Sequence, residues 1–142
     1  MTDDEIRIVQ RIFDAWNSHD PDRYIELLDE QRIIESDTLP APVVGLEASR
    51  QFMESIVRAF PDVHFEIDQL FGDGEFGAIR WTLTGTHRGE LMGIPPTNRP
   101  VVIHGCTIGR LRQGKALHDW LYWDTGTLLR QLGVLPESSE WR

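Results

Sequence analysis

Apolar side chains recur at Ile6, Val9, Phe13 and Trp16, the three- and four-residue spacing that lines one face of an α-helix. Thr2 and Glu5 precede that stripe as a capping box, in which the hydroxyl accepts from the amide three residues on and the carboxylate reaches back. Asn17-Ser18-His19 ends the helix, with His19 as a polar turn residue. Asp20-Pro21 opens a second, short helix whose Tyr24, Leu27 and Leu28 face inward. Residues 31–36 form a short strand and 37–42 a loop containing prolines. Phe52, Met53, Ile56, Val57 and Phe60 mark the buried side of a third helix over residues 46–60, stopped by Pro61.

Beyond Pro61 the hydrophobic period drops to two. Residues 64–71 alternate, with Phe65, Ile67, Gln69 and Phe71 on one side and His64, Glu66, Asp68 and Leu70 on the other. Gly72-Asp73-Gly74-Glu75 turns the chain into a long strand over residues 76–87, with Gly77 and Gly85 as bends. A Gly/Pro-rich loop leads to two further strands, residues 101–111 and 116–123, joined by Arg112-Gln113-Gly114-Lys115. A final helix over residues 124–133 stops at Gly133, and residues 136–142 form a frayed tail. Helices followed by hairpins, without regular βαβ alternation, predict an α+β layer structure. The expected architecture has three N-terminal helices on a strongly curved, mostly antiparallel sheet. A sheet curled around helices leaves an apolar cavity, where small molecules bind.

The composition changes this picture little. All 142 residues fit one domain, and 40% hydrophobic with 26% charged residues predicts a packed core. The net charge of −9 argues against nucleic acid or an anionic membrane as partner. No apolar run approaches the ~20 residues that span a bilayer. The acidic start Met1-Thr2-Asp3-Asp4-Glu5 lacks the features of a signal peptide, so a cytoplasmic location is expected. Cys106, the single cysteine, allows no intrachain disulfide.

The last hairpin carries the candidate chemistry. With Gln113-Gly114 as a two-residue turn, Arg112 pairs with Lys115 and the ladder continues outward in step, Ile108 opposite Asp119, Cys106 opposite Leu121, His104 opposite Trp123. One face then holds His104, Cys106, Ile108, Asp119, Leu121 and Trp123. The other holds Ile103, Gly105, Thr107, His118, Trp120, Tyr122 and Asp124. A one-residue shift would break this assignment. Asp119 is the one acid on the first face, and an acid among apolar neighbours suits proton transfer near neutral pH. Alternatively it pairs with an arginine such as Arg80. His104 is the matching hydrogen-bond donor to a developing oxyanion. Trp16, Phe52, Ile56, His87, Leu121 and Trp123 are the expected substrate-binding residues, although His87 equally suits closing its own loop. Asp124 is a natural N-cap. Trp120, Tyr122, Ile103 and Thr107, with His118 beside them, predict an outer face that meets a second copy in a homodimer.

Phosphate-loop, metal-ligand and nucleophile-elbow patterns are missing. Gly72-Asp73-Gly74 has no helix behind it, no His-Glu-x-x-His spacing occurs, and Cys106 lies inside a strand. A bound metal is therefore not expected.

Gly85-Thr86-His87, then Gly93-Ile94-Pro95-Pro96-Thr97, a Trp-containing last strand and Leu128-Leu129-Arg130-Gln131-Leu132-Gly133 together resemble the SnoaL-like branch of the nuclear transport factor 2-like α+β cones. The N-terminal run Ala15 to Leu28 fits the same branch, so the resemblance spans nearly the whole chain. It implies a cone-shaped fold and an apolar small-molecule ligand. The activity it implies is a cofactor-independent aldol cyclisation or isomerisation of a polyketide-like carbonyl compound, with an aspartate on the last strand as acid/base. Related folds include epoxide hydrolases, ring hydroxylases and proteins that only bind ligands. Two positions depart from the pattern. In cyclase-type members the aspartate directly follows the strand's Trp, where this chain has Leu121 after Trp120, and the nearest same-face acid is Asp119. Asn98 replaces a glycine, a mild change because asparagine tolerates left-handed geometry.

Overall fold

The computed structural model describes residues 1–136. Helix α1 spans Asp3–Asn17 and α2 Pro21–Glu26. Strands β1 (Leu28–Glu35) and β2 (Val43–Val44) precede α3 (Leu46–Ala59). Strands β3 (His64–Asp73), β4 (Phe76–Thr86), β5 (Pro100–Arg112) and β6 (Lys115–Trp123) lead to α4 (Thr125–Gln131). The fold class is α+β, as the element order implies. The expected tail falls largely on residues 137–142, outside the described residues.

The helix ends follow local chemistry. Thr2 Oγ1 accepts from Glu5 N at 3.2 Å while Thr2 N donates to Glu5 Oε1 at 2.9 Å, the reciprocal capping box. Asp20 caps α2, with Pro21 in its first turn. His19 sits at φ 53°, and its Nε2 lies 2.8 Å from Val63 O, pinning the α1–α2 turn to the start of the sheet. Asp124 caps α4, accepting from Thr127 N at 3.1 Å.

Six strands form one sheet in the order β2-β1-β6-β5-β4-β3. All neighbours are antiparallel except β1 and β6, which run parallel and bring the N-terminal strand against the last hairpin. Helices α1 and α3 cover the inner face. Edge-on aromatic contacts run through this layer: Trp16 to Phe65 at 5.5 Å joins α1 to β3, Phe65 to Trp81 at 5.4 Å joins β3 to β4, and Trp16 to Phe52 at 6.0 Å joins α1 to α3. Each such pair contributes ~0.5–1.5 kcal/mol beyond its buried area. Trp81 lies flat over Gly105, where a β-carbon would stand 2.3 Å from the ring, so glycine is what lets the indole reach the core.

Two β-bulges correct the faces expected from strict alternation. The β5–β6 turn is the two-residue one, with Gln113 at φ 49° and Gly114 at φ 77°. Arg112 pairs with Lys115 and Leu111 with Ala116, but the next pair is Arg110 with His118. Leu117 is the extra residue. From there outward Asp119 faces Gly109, Leu121 faces Thr107 and Trp123 faces Gly105. The β6 half of the expected inner face is retained, and the β5 half is inverted. A second bulge at Asp68 turns Phe71 outward, 63% exposed, and brings Leu70 inward instead.

Candidate active site

Between the helices and the inner sheet lies a cavity of about 720 Å³, within the range of small-molecule sites. Trp16, Phe52 and Ile56 form its helical wall, and Leu121, Trp123 and Trp81 its sheet wall. Glu90 and Met92 of the Gly/Pro loop, both exposed, stand at its mouth. Among the described residues, Asp119 and Glu90 are the carboxylates that line it.

Asp119 lines the cavity with its side chain 23% exposed. Its Oδ2 accepts from Arg32 Nη2 at 2.7 Å, and the same Nη2 donates to Tyr24 Oη at 3.2 Å. Arg32 is 1% exposed. Burial works against its charge, but the Asp119 carboxylate and the Tyr24 hydroxyl outweigh it and hold the guanidinium above its ordinary pKa. The parallel β1–β6 ladder makes this pair: Ile34 faces Asp119, and Arg32, two residues earlier, shares Ile34's face. Gly109, opposite Asp119, leaves open the space beside Oδ1.

Six of the eight expected site residues line the cavity: Trp16, Phe52, Ile56, Asp119, Leu121 and Trp123. His104 does not. The Leu117 bulge puts it on the outer face, exposed, with Nδ1 3.0 Å from Thr82 Oγ1, so the expected oxyanion role is corrected. His87 is also corrected. It is fully buried outside the cavity lining, where Thr97 N donates to its Nδ1 at 3.2 Å and its ring packs 5.8 Å from Phe60. It closes its own loop. The arginine expected beside Asp119 is Arg32 rather than Arg80, which lies exposed on the outer face opposite Cys106.

Arg32 and Tyr24 were missing from the expected site. Arg32 stands in phase with Ile34 on a half-buried strand, a signal that marks an inward charge but names no partner. Asp124 is committed to its helix. Its carboxyl is held below the usual range by the Thr127 hydroxyl at 2.6 Å and by the Thr127 amide. His118 lies on the outer face, bound to Glu35 Oε2 and stacked on Trp120 at 3.9 Å. Among the described residues no three His, Cys, Asp or Glu side chains converge as a metal site, and no helix is long and apolar enough to cross a membrane.

A curved sheet wrapped on N-terminal helices around one apolar cavity is the nuclear transport factor 2-like, or ketosteroid isomerase-like, cone. The chain belongs to the SnoaL-like polyketide cyclase family, whose profile matches residues 6–132. It is similar to the structure of AclR, a candidate hydroxylase from Streptomyces galilaeus, at 28% identity over 94% of this chain and 87% of that one, with a TM-score of 0.82. IdmH, a candidate polyketide cyclase from Streptomyces antibioticus, is 28% identical over 92% of this chain and 99% of its own, with a TM-score of 0.79. TsrD from Streptomyces laurentii superposes with a TM-score of 0.85 at 24% identity, covering 95% and 99% of the two chains, a likeness of fold. No curated protein matches the sequence.

Proposed function

We propose that the cone binds an apolar, polyketide-like carbonyl compound and that Asp119 moves a proton at the carbon next to the carbonyl. The observation that carries this reading is the placement of Asp119: a carboxylate in the wall of an apolar cavity, with Oδ2 fixed by Arg32 and Oδ1 beside Gly109 with no hydrogen bond from the described residues. A base must reach the proton it takes and be held still while it does so. Family membership supports the cyclisation or isomerisation class of chemistry. The likeness to AclR, a candidate hydroxylase, supports a hydroxylation in the same cavity as the alternative reaction.

The ion pair itself favours a second reading. An aspartate that neutralises a buried arginine has a structural use and requires no reaction, so a protein that only holds its ligand fits the same contacts. Hydrogen–deuterium exchange at the α-carbon of aromatic 1,3-dicarbonyl compounds in D2O separates the two. Catalysed exchange that drops ~10²–10⁴-fold in Asp119→Asn supports proton transfer. Binding without catalysed exchange supports the ligand-binding protein, and catalysed exchange at the same rate in Asp119→Asn makes Asp119 structural.

A further inference from the structure

The Gly/Pro loop between β4 and β5 presents one side chain from an anchored base. Arg88 N and Gly89 N both donate to Ala59 O, at 2.9 and 3.2 Å, where α3 ends. A β-carbon on Gly89 would stand 2.1 Å from Arg58 O, so glycine is what lets the loop lie this close to the helix. Leu91 and Ile94 then bond each other in both directions, N to O at 3.1 and 2.7 Å, and pack against the larger core cluster. Between them Met92 at φ 50° and Gly93 at φ 78° make a two-residue turn with both central residues left-handed. Met92 is its tip. That position suits asparagine, aspartate or glycine, and a methionine there is strained. The matching turn at Gln113-Gly114 carries an exposed polar side chain in the same place, as a solvated tip should. Met92 is instead apolar and 53% exposed. Single exposed hydrophobic residues are ordinary. Of the exposed large hydrophobic side chains among the described residues, however, Met92 alone lines the cavity. The other exposed lining residues are Ser55, Arg58 and Glu90, which are polar, and Pro40, which is rigid.

We infer that Met92 is a specificity-determining residue of this site, folding over the trailing apolar end of a bound molecule long enough to reach the mouth. The inference rests on the proposed apolar ligand and adds a length requirement to it. A cavity of about 720 Å³ takes a drug-sized molecule, and such sites leave roughly 10–30% of the ligand surface uncovered. That uncovered end lies at the mouth. Methionine is unbranched, turns about three bonds and carries a polarisable sulfur, so it can close over ends of different shape. The fixed loop base keeps it in reach, and the left-handed backbone aims it from a position where a polar residue would be more stable. A short molecule sinks below Met92 and gains little from it. The favoured ligand is therefore an elongated, flat apolar compound whose trailing end is uncharged.

The test compares naphthalene, a short flat probe, with 5,12-naphthacenequinone, a long one with apolar end rings, by equilibrium dialysis. Met92→Asn is expected to weaken binding of the long probe about four- to fifteenfold more than binding of naphthalene, the size of one or two methylene groups left in water. Its melting temperature should hold or rise, because asparagine tolerates the left-handed turn better than methionine does. Met92→Leu keeps an apolar side chain and should restore the preference for the long probe. A purely structural Met92 gives a different pattern, a lower melting temperature with both probes weakened alike, and that result overturns the inference. So does the same ratio of affinities in wild type and Met92→Asn. If neither probe binds wild type, the apolar-ligand reading falls and the inference falls with it. Binding of both probes with no dependence on Met92 removes the role of Met92 alone and leaves that reading standing.

Discussion

Gly109 lies directly across the β5–β6 ladder from Asp119, and a β-carbon built on it would stand 3.1 Å from Asp119 Oδ1. That is tighter than an ordinary contact, and Asp119 cannot swing away without leaving Arg32. Gly109→Ala is therefore expected to lower α-carbon exchange roughly tenfold, since small displacements of a positioned group cost rate steeply. The same substitution should change urea-unfolding stability by less than ~1 kcal/mol, because the contact is one side-chain oxygen. Full activity in Gly109→Ala would show that Oδ1 is not the working atom.

The Arg32–Asp119 pair should respond unequally to losing either partner. Arg32 is 1% exposed and Asp119 23%, so removing Asp119 strands the more buried charge. Asp119→Leu is expected to cost ~3–5 kcal/mol and Arg32→Met less, toward ~2–3 kcal/mol, because cavity water still reaches the carboxylate. The double variant Arg32→Met/Asp119→Leu should recover much of the loss, as paired removal leaves no orphan charge. A double-mutant cycle by urea unfolding measures the coupling, and additive losses would mean the two charges do not act as a pair.

Local chemistry made most of the fold legible. The Thr2–Glu5 box, the Asp20-Pro21 start, the Asp124 cap and the Gln113-Gly114 turn are each settled within a few residues, and each forms where the pattern puts it. The faces were less legible because a bulge leaves no mark in a hydrophobic alternation. Leu117 reads as an ordinary apolar strand residue, yet it decides that Thr107 and Gly109, not His104 and Cys106, look into the cavity. The two-residue strand β2 was too short to carry a period. The Arg32–Asp119 contact spans 87 positions and depends on a parallel pairing no local signal encodes. Of the site, the apolar wall and Asp119 were visible, and the arginine behind it was not.

His87 is expected to matter for stability and not for ligand binding. Its Nδ1 accepts from Thr97 N, its own amide donates to Arg99 O at 2.9 Å, and its carbonyl accepts from Asn98 N at 2.8 Å. His87→Ala would keep the backbone bonds but remove the packing on Phe60 and the Thr97 acceptor. A loss of ~2–4 kcal/mol follows from a buried large-to-small change combined with an orphaned amide. Naphthalene affinity per folded molecule should be unchanged. A selective loss of affinity, with stability intact, would return His87 to the site.

Acid should destabilise the protein through its structural aspartates. Asp29 is lowered chiefly by its hydrogen bonds from Arg112, Asp62 by the Thr86 amide at 2.7 Å, and Asp124 by the Thr127 hydroxyl. Each binds its proton less readily folded than unfolded. Their stabilisation is thus complete above the ordinary aspartate value of about 3.9 and is lost as pH falls through the lower folded values. Unfolding measured from about pH 5 down to pH 2 should show this decline, and Asp62→Asn should flatten it. An unchanged slope in Asp62→Asn would assign acid lability to other groups.

The outer sheet face is expected to meet a second copy of the chain. Val102 at 47%, Ile108 at 40%, Tyr122 at 53% and Phe76 at 42% exposure lie on it, and the ring of Trp120 lies beside Phe76 at 6.4 Å. Pairing Ile108 with Trp120 and Cys106 with Tyr122 makes this patch continuous across β5 and β6. Contiguous apolar surface of this kind marks an interface more often than a solvated face, and a stable one covers ~800 Å² per partner. Light scattering at micromolar concentration should give twice the mass of one chain. Ile108→Glu/Tyr122→Glu should halve that mass while leaving the circular dichroism and the naphthalene affinity intact, because both side chains point away from the cavity. A wild-type monomer at high micromolar concentration would refute the dimer. A double variant that stays dimeric would move the interface elsewhere on the surface.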